Sequence, residues 1–175
     1  MSSMSFSVAI RPVSPKDAED FVSTASSSRK FHHRWTSAPC DDTTFARYLA
    51  RFDNLNHFGF VVVLKGTGEL IGAINLTNVV YGAFRSGYLG YFAFAGHEGR
   101  GHMKQGLTLV VQHAFRRLRL HRLEANIQPS NLASIALVRA CGFSKEGYSP
   151  AYLKIGGRWR DHERWALVQA RKSAA

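Results

Sequence analysis

Several stretches combine residue types with a spacing that can do chemistry. The first is Gly99-Arg100-Gly101, which directly precedes a strongly amphipathic run. Glycine lets the backbone turn tightly and approach a ligand. A helix start beyond it, near His102, offers unpaired N–H groups and the positive pole of the helix dipole. With Arg100 and Lys104 alongside, these features make an anion site suited to a pyrophosphate. Neither common phosphate loop is present. The pattern GxxxxGK followed by Ser or Thr is missing, and a GxGxxG fingerprint would need glycine where the chain has Lys104. The second stretch runs Pro129-Ser130-Asn131-Leu132-Ala133-Ser134. Asn131 is placed to cap a helix, and Ser134 stands where a capping box puts its second member. The same two side chains could instead face a ligand amide and a reacting centre, and the two roles are compatible. Glu124, which alternates with Asn126, and His162, in the pair Asp161-His162, are candidates for moving a proton. A neutral imidazole is a reasonable base near pH 7. Glu124 reads equally as a surface charge, and Asp161-His162 equally as a pair holding a sheet edge.

Other chemistries are excluded early. The cysteines Cys40 and Cys141 form no CxxC and no zinc spacing, so no metal is expected and the thiols imply a reducing compartment. The start, MSSMSFSVAIRP, has neither a basic leader nor a long apolar segment. No apolar run approaches the roughly 18 residues needed to cross a bilayer. A cytoplasmic protein is the expectation. The 23 Lys and Arg outnumber the 12 Asp and Glu, leaving +11. That surplus implies an anionic partner without separating nucleic acid, acidic protein and a phosphate-rich cofactor. A local cluster, Arg116, Arg117, Arg119, His121 and Arg122, has no interleaved aromatics for base stacking. No direct nucleic-acid binding is expected from it.

The elements that must position these residues follow from periodicity. At 175 residues, one domain over 1–175 is expected. Phe6 to Arg11 alternates as a strand closed by Pro12, and Ser14-Pro15 starts a helix. Asp41 or Asp42 can cap a second helix carrying Phe45, Tyr48, Leu49 and Phe52. Strands are predicted over Phe58–Leu64, Leu70–Leu76 and Gly87–Phe94. The helix after Gly101 buries Met103, Leu107, Val110, Val111, Ala114 and Leu118 on one face. Leu123–Ile127 is a strand, and Asn131–Cys141 a helix stopped by Gly142. Tyr148–Ile155 and Arg158–Leu167 flank Gly156-Gly157, a two-residue hairpin signal. Strands and helices mix without strict alternation, which implies an α+β protein with a mixed, mostly antiparallel sheet.

In order and spacing, these residues resemble the acetyl-CoA-dependent GNAT N-acetyltransferases, and within them the ribosomal-protein-alanine N-acetyltransferases of the RimJ/RimL type. The resemblance is carried by Ile71-Gly72-Ala73-Ile74-Asn75-Leu76-Thr77-Asn78, Gly87-Tyr88-Leu89-Gly90-Tyr91 and Gly99-Arg100-Gly101-His102-Met103. Leu123-Glu124-Ala125-Asn126, Pro129-x-Asn131-x-x-Ser134, Cys141-Gly142-Phe143 with Glu146-Gly147-Tyr148, and Gly157-x-Trp159-x-Asp161-His162 complete it. It implies a central sheet of about seven strands, flanked by helices and splayed after the fourth strand, with acetyl-CoA in the opening. The fourth strand at Phe92, Ala93 and Phe94 then meets the pantetheine arm. Gly99, Arg100, Gly101, His102, Met103 and Lys104 wrap the pyrophosphate, and Asn131 contacts pantetheine. Ser134 matches the hydroxyl placed as acid for the departing thiolate. The chain departs from the pattern at Glu98, which brings negative charge to the phosphate loop, and in having no glutamate between Tyr148 and Asp161.

Acetyl transfer to an amine needs a base, a polarised thioester carbonyl and a proton for the leaving sulfur. The expectation is direct attack in a ternary complex, with Ser134 as acid and a backbone N–H near Phe92 polarising the carbonyl. Glu124 and His162 are both carried forward as the base. Trp35 follows the first helix, where relatives place a substrate-lining loop. The expected acceptor is the α-amino group of a protein, plausibly ribosomal. A small-molecule amine of the detoxification or antibiotic type is the rival, and a non-enzymatic basic ribosome-associated or nucleic-acid-associated CoA-binding protein the third reading. A monomer or homodimer is expected, without membrane attachment.

Overall fold

The computed structural model describes residues 7–32 and 35–170. Strand β1 (Val8–Pro12) leads through a single 3-10 turn, Pro15–Asp17, into α1 (Ala18–Ser27) and the short α2 (Arg29–His32). Helix α3 (Asp42–Leu49) is capped by Asp41, whose carboxylate accepts the Thr44 N–H at 2.7 Å. Then come β2 (Phe58–Leu64), β3 (Leu70–Val80), β4 (Ser86–Ala93), α4 (His102–Arg116), β5 (Arg122–Ile127) and α5 (Leu132–Ala140). The chain ends in β6 (Ser144–Ile155) and β7 (Arg158–Val168). Pro12 does not close the first strand: it pairs with Phe60 at the outer edge of β1, where its missing N–H costs no ladder bond. Phe6 lies outside the described residues.

The strands form one seven-stranded sheet in the order β1-β2-β3-β4-β5-β7-β6. Every neighbouring pair is antiparallel except β4 and β5. Those two run parallel from Ser86↔Arg122 to Leu89↔Ala125 and then part, although β4 continues to Ala93 and β5 to Ile127. This is the expected mixed α/β sheet, open after its fourth strand. The β6–β7 turn is the predicted Gly156-Gly157 pair, both at positive φ (58° and 78°), which matches the right-handed twist of a hairpin.

The two faces are covered unequally. On one, α4 and α5 pack over a core that includes Val62, Ile74, Leu76, Leu107, Val110, Leu123 and Trp165. On the other, α1 and α3 bury Phe21, Phe45 and Tyr48 against Val61, Ala73, Phe92 and Phe94. No buried residue of β5, β6 or β7 joins that second core. The sheet is therefore helix-covered on one face from β1 to β7, leaving the edge strand β6 exposed, and on the other only over its first half. The uncovered stretch lies beside the opening.

Candidate active site

The opening leads into a cavity of about 620 Å³. One wall is β4, where backbone direction decides what a ligand meets. The Phe94 N–H donates to Ile71 O at 2.8 Å across the β3 ladder, and Phe92 O lies on the same side, close to Gly72. Backbone groups alternate edges along a strand, so those of Tyr91 and Ala93 face the opening. Of the N–H groups near Phe92, where the polarising donor is expected, those of Tyr91 and Ala93 face the opening and that of Phe92 faces β3. Ala93 O already accepts from His32 Nε2 at 2.6 Å. The opposite wall is α5, whose Ala133, Ala136, Leu137 and Ala140 line the cavity at helical spacing. Small residues on this face leave room for an extended chain along the helix.

The phosphate loop closes one end. Gly99 and Gly101 both have positive φ (70° and 73°), and nothing lies within 4 Å of where a Cβ would stand. Gly101 caps α4 in the left-handed conformation without a side-chain cap, and no acidic residue sits in the first turn. The first N–H groups and the positive pole of a 15-residue helix are therefore uncompensated. His102, Met103 and Lys104 line the cavity with Gly99 and Gly101, as do Phe92, Ala93, Phe94 and Asn131. Arg100 does not; it is exposed beside the loop. Glu98 accepts from the Gly96 N–H at 3.0 Å, and backbone N–H groups, its own and that of Gly96, hold its carboxyl below the usual range. Its charge is thus partly satisfied within the loop. His97, which the motif reading passed over, also lines the cavity, and its Nε2 lies 3.1 Å from a Glu69 carboxylate oxygen.

A second, smaller cavity of about 170 Å³ opens on the uncovered face. It shares Trp35, Thr36, Tyr91, Asn131 and Ser134 with the first, so the two meet at these residues. Asn131 Oδ1 accepts the Ser134 N–H at 3.2 Å and so caps α5. The Ser134 hydroxyl takes no part in the cap; it lies 2.6 Å from the Tyr91 hydroxyl. Burial pushes the Tyr91 phenol up to about 12, against the lowering effect of that bond. Tyr91 is 43 residues from Ser134 in sequence, and only its inward register on β4 brings the two together.

His162 is 2% exposed and lines the small cavity with Gly90, Asn126, Gln128, Leu153 and Ile155. Its Nδ1 lies 2.9 Å from Arg160 O. A carbonyl only accepts, so Nδ1 carries the proton and Nε2 of the neutral ring holds a free lone pair. Burial lowers the His162 pKa below its ordinary value, which keeps the ring neutral at pH 7. Asp161 does not orient it. Consecutive strand residues face opposite ways, and the Asp161 carboxylate takes the Tyr148 hydroxyl and the Ala151 N–H instead. Glu124 does not line either cavity: Arg122 holds its carboxylate at 2.7 Å and binds Glu146 as well. Asn126, two residues along, does reach the cavity, and its buried Oδ1 has no partner among the described residues. Neither cysteine lines a cavity, and burial raises the Cys141 thiol. Among the described residues no cluster could hold a metal.

A nucleotide-sized cavity running from a glycine-rich helix start to a parted strand pair, with the paired Tyr91 and Ser134 hydroxyls where it meets a second cavity, has the layout of a group-transfer enzyme with an anionic donor. Residues 7–144 match the acetyltransferase (GNAT) domain model, so the chain belongs to the GNAT family. It is 33% identical over 167 residues to the [Ribosomal protein uS5]-alanine N-acetyltransferase of Escherichia coli, covering 91% of this chain and 86% of that one. The probable N-acetyltransferase YjcK of Bacillus subtilis is 32% identical over 91% of this chain and 92% of its own. The structure of Mycobacterium smegmatis RimJ in complex with CoA-disulfide superposes with a TM-score of 0.85 at 28% identity, covering 92% of this chain and 81% of that one. The protein is a RimJ-like, acetyl-CoA-dependent N-acetyltransferase.

Proposed function

We propose that this enzyme acetylates the N-terminal α-amino group of a polypeptide with a small first residue, a ribosomal protein being the leading acceptor, in the cytoplasm. The observation that carries the reading is the small cavity itself. It joins the large one at Ser134 and Tyr91, holds a neutral His162, and has no carboxylate among its described lining residues. A polyamine or other polycation would be bound through carboxylates, which this wall lacks. The volume of about 170 Å³ suits a small side chain beside the amine. Similarity to the uS5-alanine enzyme of E. coli points the same way.

The acidities agree. An α-amino group titrates near about 7.7–8.0 and a lysine near about 10.4, so only the former is appreciably neutral at pH 7. A buried imidazole suffices for such an amine. His162 Nε2 takes its proton while the unpartnered Asn126 Oδ1 accepts a second N–H and orients the lone pair. Acetyl-CoA supplies the acetyl group as a thioester. The uncompensated start of α4 with Lys104 holds the diphosphate, the face of α5 accommodates the pantetheine arm, and an N–H of Tyr91 or Ala93 polarises the carbonyl. Ser134 keeps a proton ready for the departing sulfur, and Tyr91 replenishes it. Cys40 and Cys141 stand outside both cavities, which supports direct transfer over an acetyl-cysteine. Residues 1–175 serve as one catalytic domain in this reading, as a monomer or homodimer.

Mass spectrometry of protein N-termini from cells with and without the enzyme tests the assignment. Loss of acetyl from one or a few N-termini beginning with a small residue is expected. An unchanged set of acetylated N-termini, together with acetylation of small amines by the purified enzyme, would overturn it.

A further inference from the structure

The β6–β7 hairpin faces the small cavity with an arrangement of charge that the transfer chemistry does not use. Leu153 and Ile155 of β6 line the cavity, and their register partners across the hairpin are Arg160 and Arg158. Directly opposed residues of an antiparallel pair share a face, so both arginines stand on the cavity side with His162, which follows Arg160 by two positions. Both are exposed, and neither is ion-paired among the described residues. The acids of β7 lie on its other face and are engaged: Asp161 with Tyr148, and Glu163 with Lys145 and the Trp165 indole. Glu124 and Glu146, the nearby acids on β5 and β6, are both held by Arg122. The cavity side of the hairpin therefore presents free cations with no neutralising partner.

We infer that this face selects acceptor polypeptides carrying Asp or Glu a few residues behind the N-terminus, an inference that rests on the N-terminal reading above. The spacing fits. At about 3.3 Å per residue, Arg160 and Arg158 stand roughly 7 and 13 Å along the strand from His162. An extended peptide whose amine lies at His162 covers that span with its third to fifth residues, at about 3.3–3.6 Å each. An RNA partner is disfavoured because the hairpin's exposed tryptophan, Trp159, pairs with Lys154 on the opposite face, which leaves Tyr152, set against the His162 ring at 6.0 Å, as the one hairpin aromatic near the arginines where a run of bases would need several.

The test uses the full-length enzyme, acetyl-CoA and synthetic peptides beginning with alanine, identical except for three Glu or three Lys at positions three to five. At low salt kcat/KM should favour the Glu peptide by about tenfold, since an exposed pair contributes roughly threefold and two are available. The ratio should shrink toward one near 0.5 M salt as screening shortens. Arg158→Glu/Arg160→Glu should invert the preference, and Arg158→Gln/Arg160→Gln should abolish it. A ratio of rates within each variant is insensitive to partial loss of folded protein, and a retained thermal shift with CoA checks the fold. Equal rates on the two peptides, or a ratio unmoved by either double variant, would overturn the inference while leaving the N-terminal reading intact. Competition by a short single-stranded RNA without any peptide preference would reassign the face to nucleic acid. Acetylation of neither peptide would remove the N-terminal reading and this inference together.

Discussion

Ser134→Ala separates capping from catalysis because the structure divides the two between different atoms. The cap is Asn131 Oδ1 accepting the backbone N–H of residue 134, which alanine keeps. What the substitution removes is the hydroxyl 2.6 Å from Tyr91. Losing that bond leaves the phenol only the longer bond to the Ser134 carbonyl, at 3.4 Å, and costs about 1 kcal/mol of stability. For a chain of this length that lowers Tm by only about 2–4 °C. The catalytic loss is set by how much the leaving sulfur needs a proton. General acids contribute about 10²–10⁴-fold, but a thiol titrating near about 8.5 leaves readily as the thiolate. The effect therefore falls at or below the lower end of that range, so kcat should fall about 10- to 100-fold, or about 1.4–2.7 kcal/mol at 1.36 per decade. The assay is steady-state release of CoA, followed with a thiol-trapping reagent at saturating acceptor, alongside CoA affinity by calorimetry. KM for acetyl-CoA and the CoA affinity should stay within about threefold, because the phosphate loop and α5 face are untouched. Tyr91→Phe should lower kcat in the same direction and by less. An unchanged kcat in Ser134→Ala, or a loss matched by equal loss of CoA binding, would refute the proton role.

Other perturbations read other parts of the molecule. In the wild type, kcat/KM should fall on the acid side first with the acceptor amine, at about 7.7–8.0, and more steeply below the ordinary histidine value of about 6.5, since burial lowers His162. His162→Gln should lose the steeper second limb, keep the amine's own, and lose about 10²-fold in rate; a second limb that persists in the variant would exclude His162 as base. Asp17 is 5% exposed and accepts from Arg11 at 2.6 and 2.9 Å and from the Ser14 N–H at 2.8 Å. Burial raises its pKa, but Arg11 and Ser14 outweigh that and leave it lowered. Its contribution is therefore present above about pH 4, the unfolded value, and is lost as pH falls through the folded one. Asp17→Asn should cost about 1–3 kcal/mol in denaturant titration at pH 7, discounted for the half-exposed Arg11, and little at pH 2. Gly106→Ala should also destabilise, by about 1–3 kcal/mol, because a Cβ there would stand 2.7 Å from Val62 Cγ2. Helix propensity alone predicts a gain of about 1 kcal/mol, so the sign of the Tm change decides between packing and propensity.

The parts legible in sequence were those fixed by local chemistry. Phe58–Leu64 is a strand to the residue, the Gly156-Gly157 turn is a hairpin turn, and Asn131 caps its helix because each signal lies within a few residues. Strand β3 runs four residues past its predicted end, to Val80, because β4 holds it through the register Val80↔Ser86. Strand β6 begins four residues early for the same reason, paired to Ala166 of β7 at Ser144. The candidate site was less accessible. Tyr91 meets Ser134 only through the sheet, and Glu124, unlike His162, is held outside both cavities by Arg122, which reaches across to Glu146. Arg100 and Glu98 stand in one loop, yet only the structure shows that Glu98 lines the cavity, bound to its own loop, while Arg100 does not line it. Side-chain direction at a turn is not encoded in spacing.

The parted strands also tie the lifetime of the fold to the occupancy of its cavity. Tyr91 and Ala93 turn backbone groups toward a gap inside the sheet, where a neighbouring strand would normally pair them, and His32 satisfies Ala93 O. A sheet interrupted in this way holds its second half, β5, β7 and β6, chiefly through the short parallel run from Ser86 to Leu89 and the helices behind it. A ligand that binds only the folded chain stabilises it by about 2.7 kcal/mol at a hundred times its Kd. A bound coenzyme, acetylated or not, holds the two halves together at the opening. Without it, that is where the chain is expected to come apart first, so resistance of the purified protein to proteolysis should rise on adding CoA.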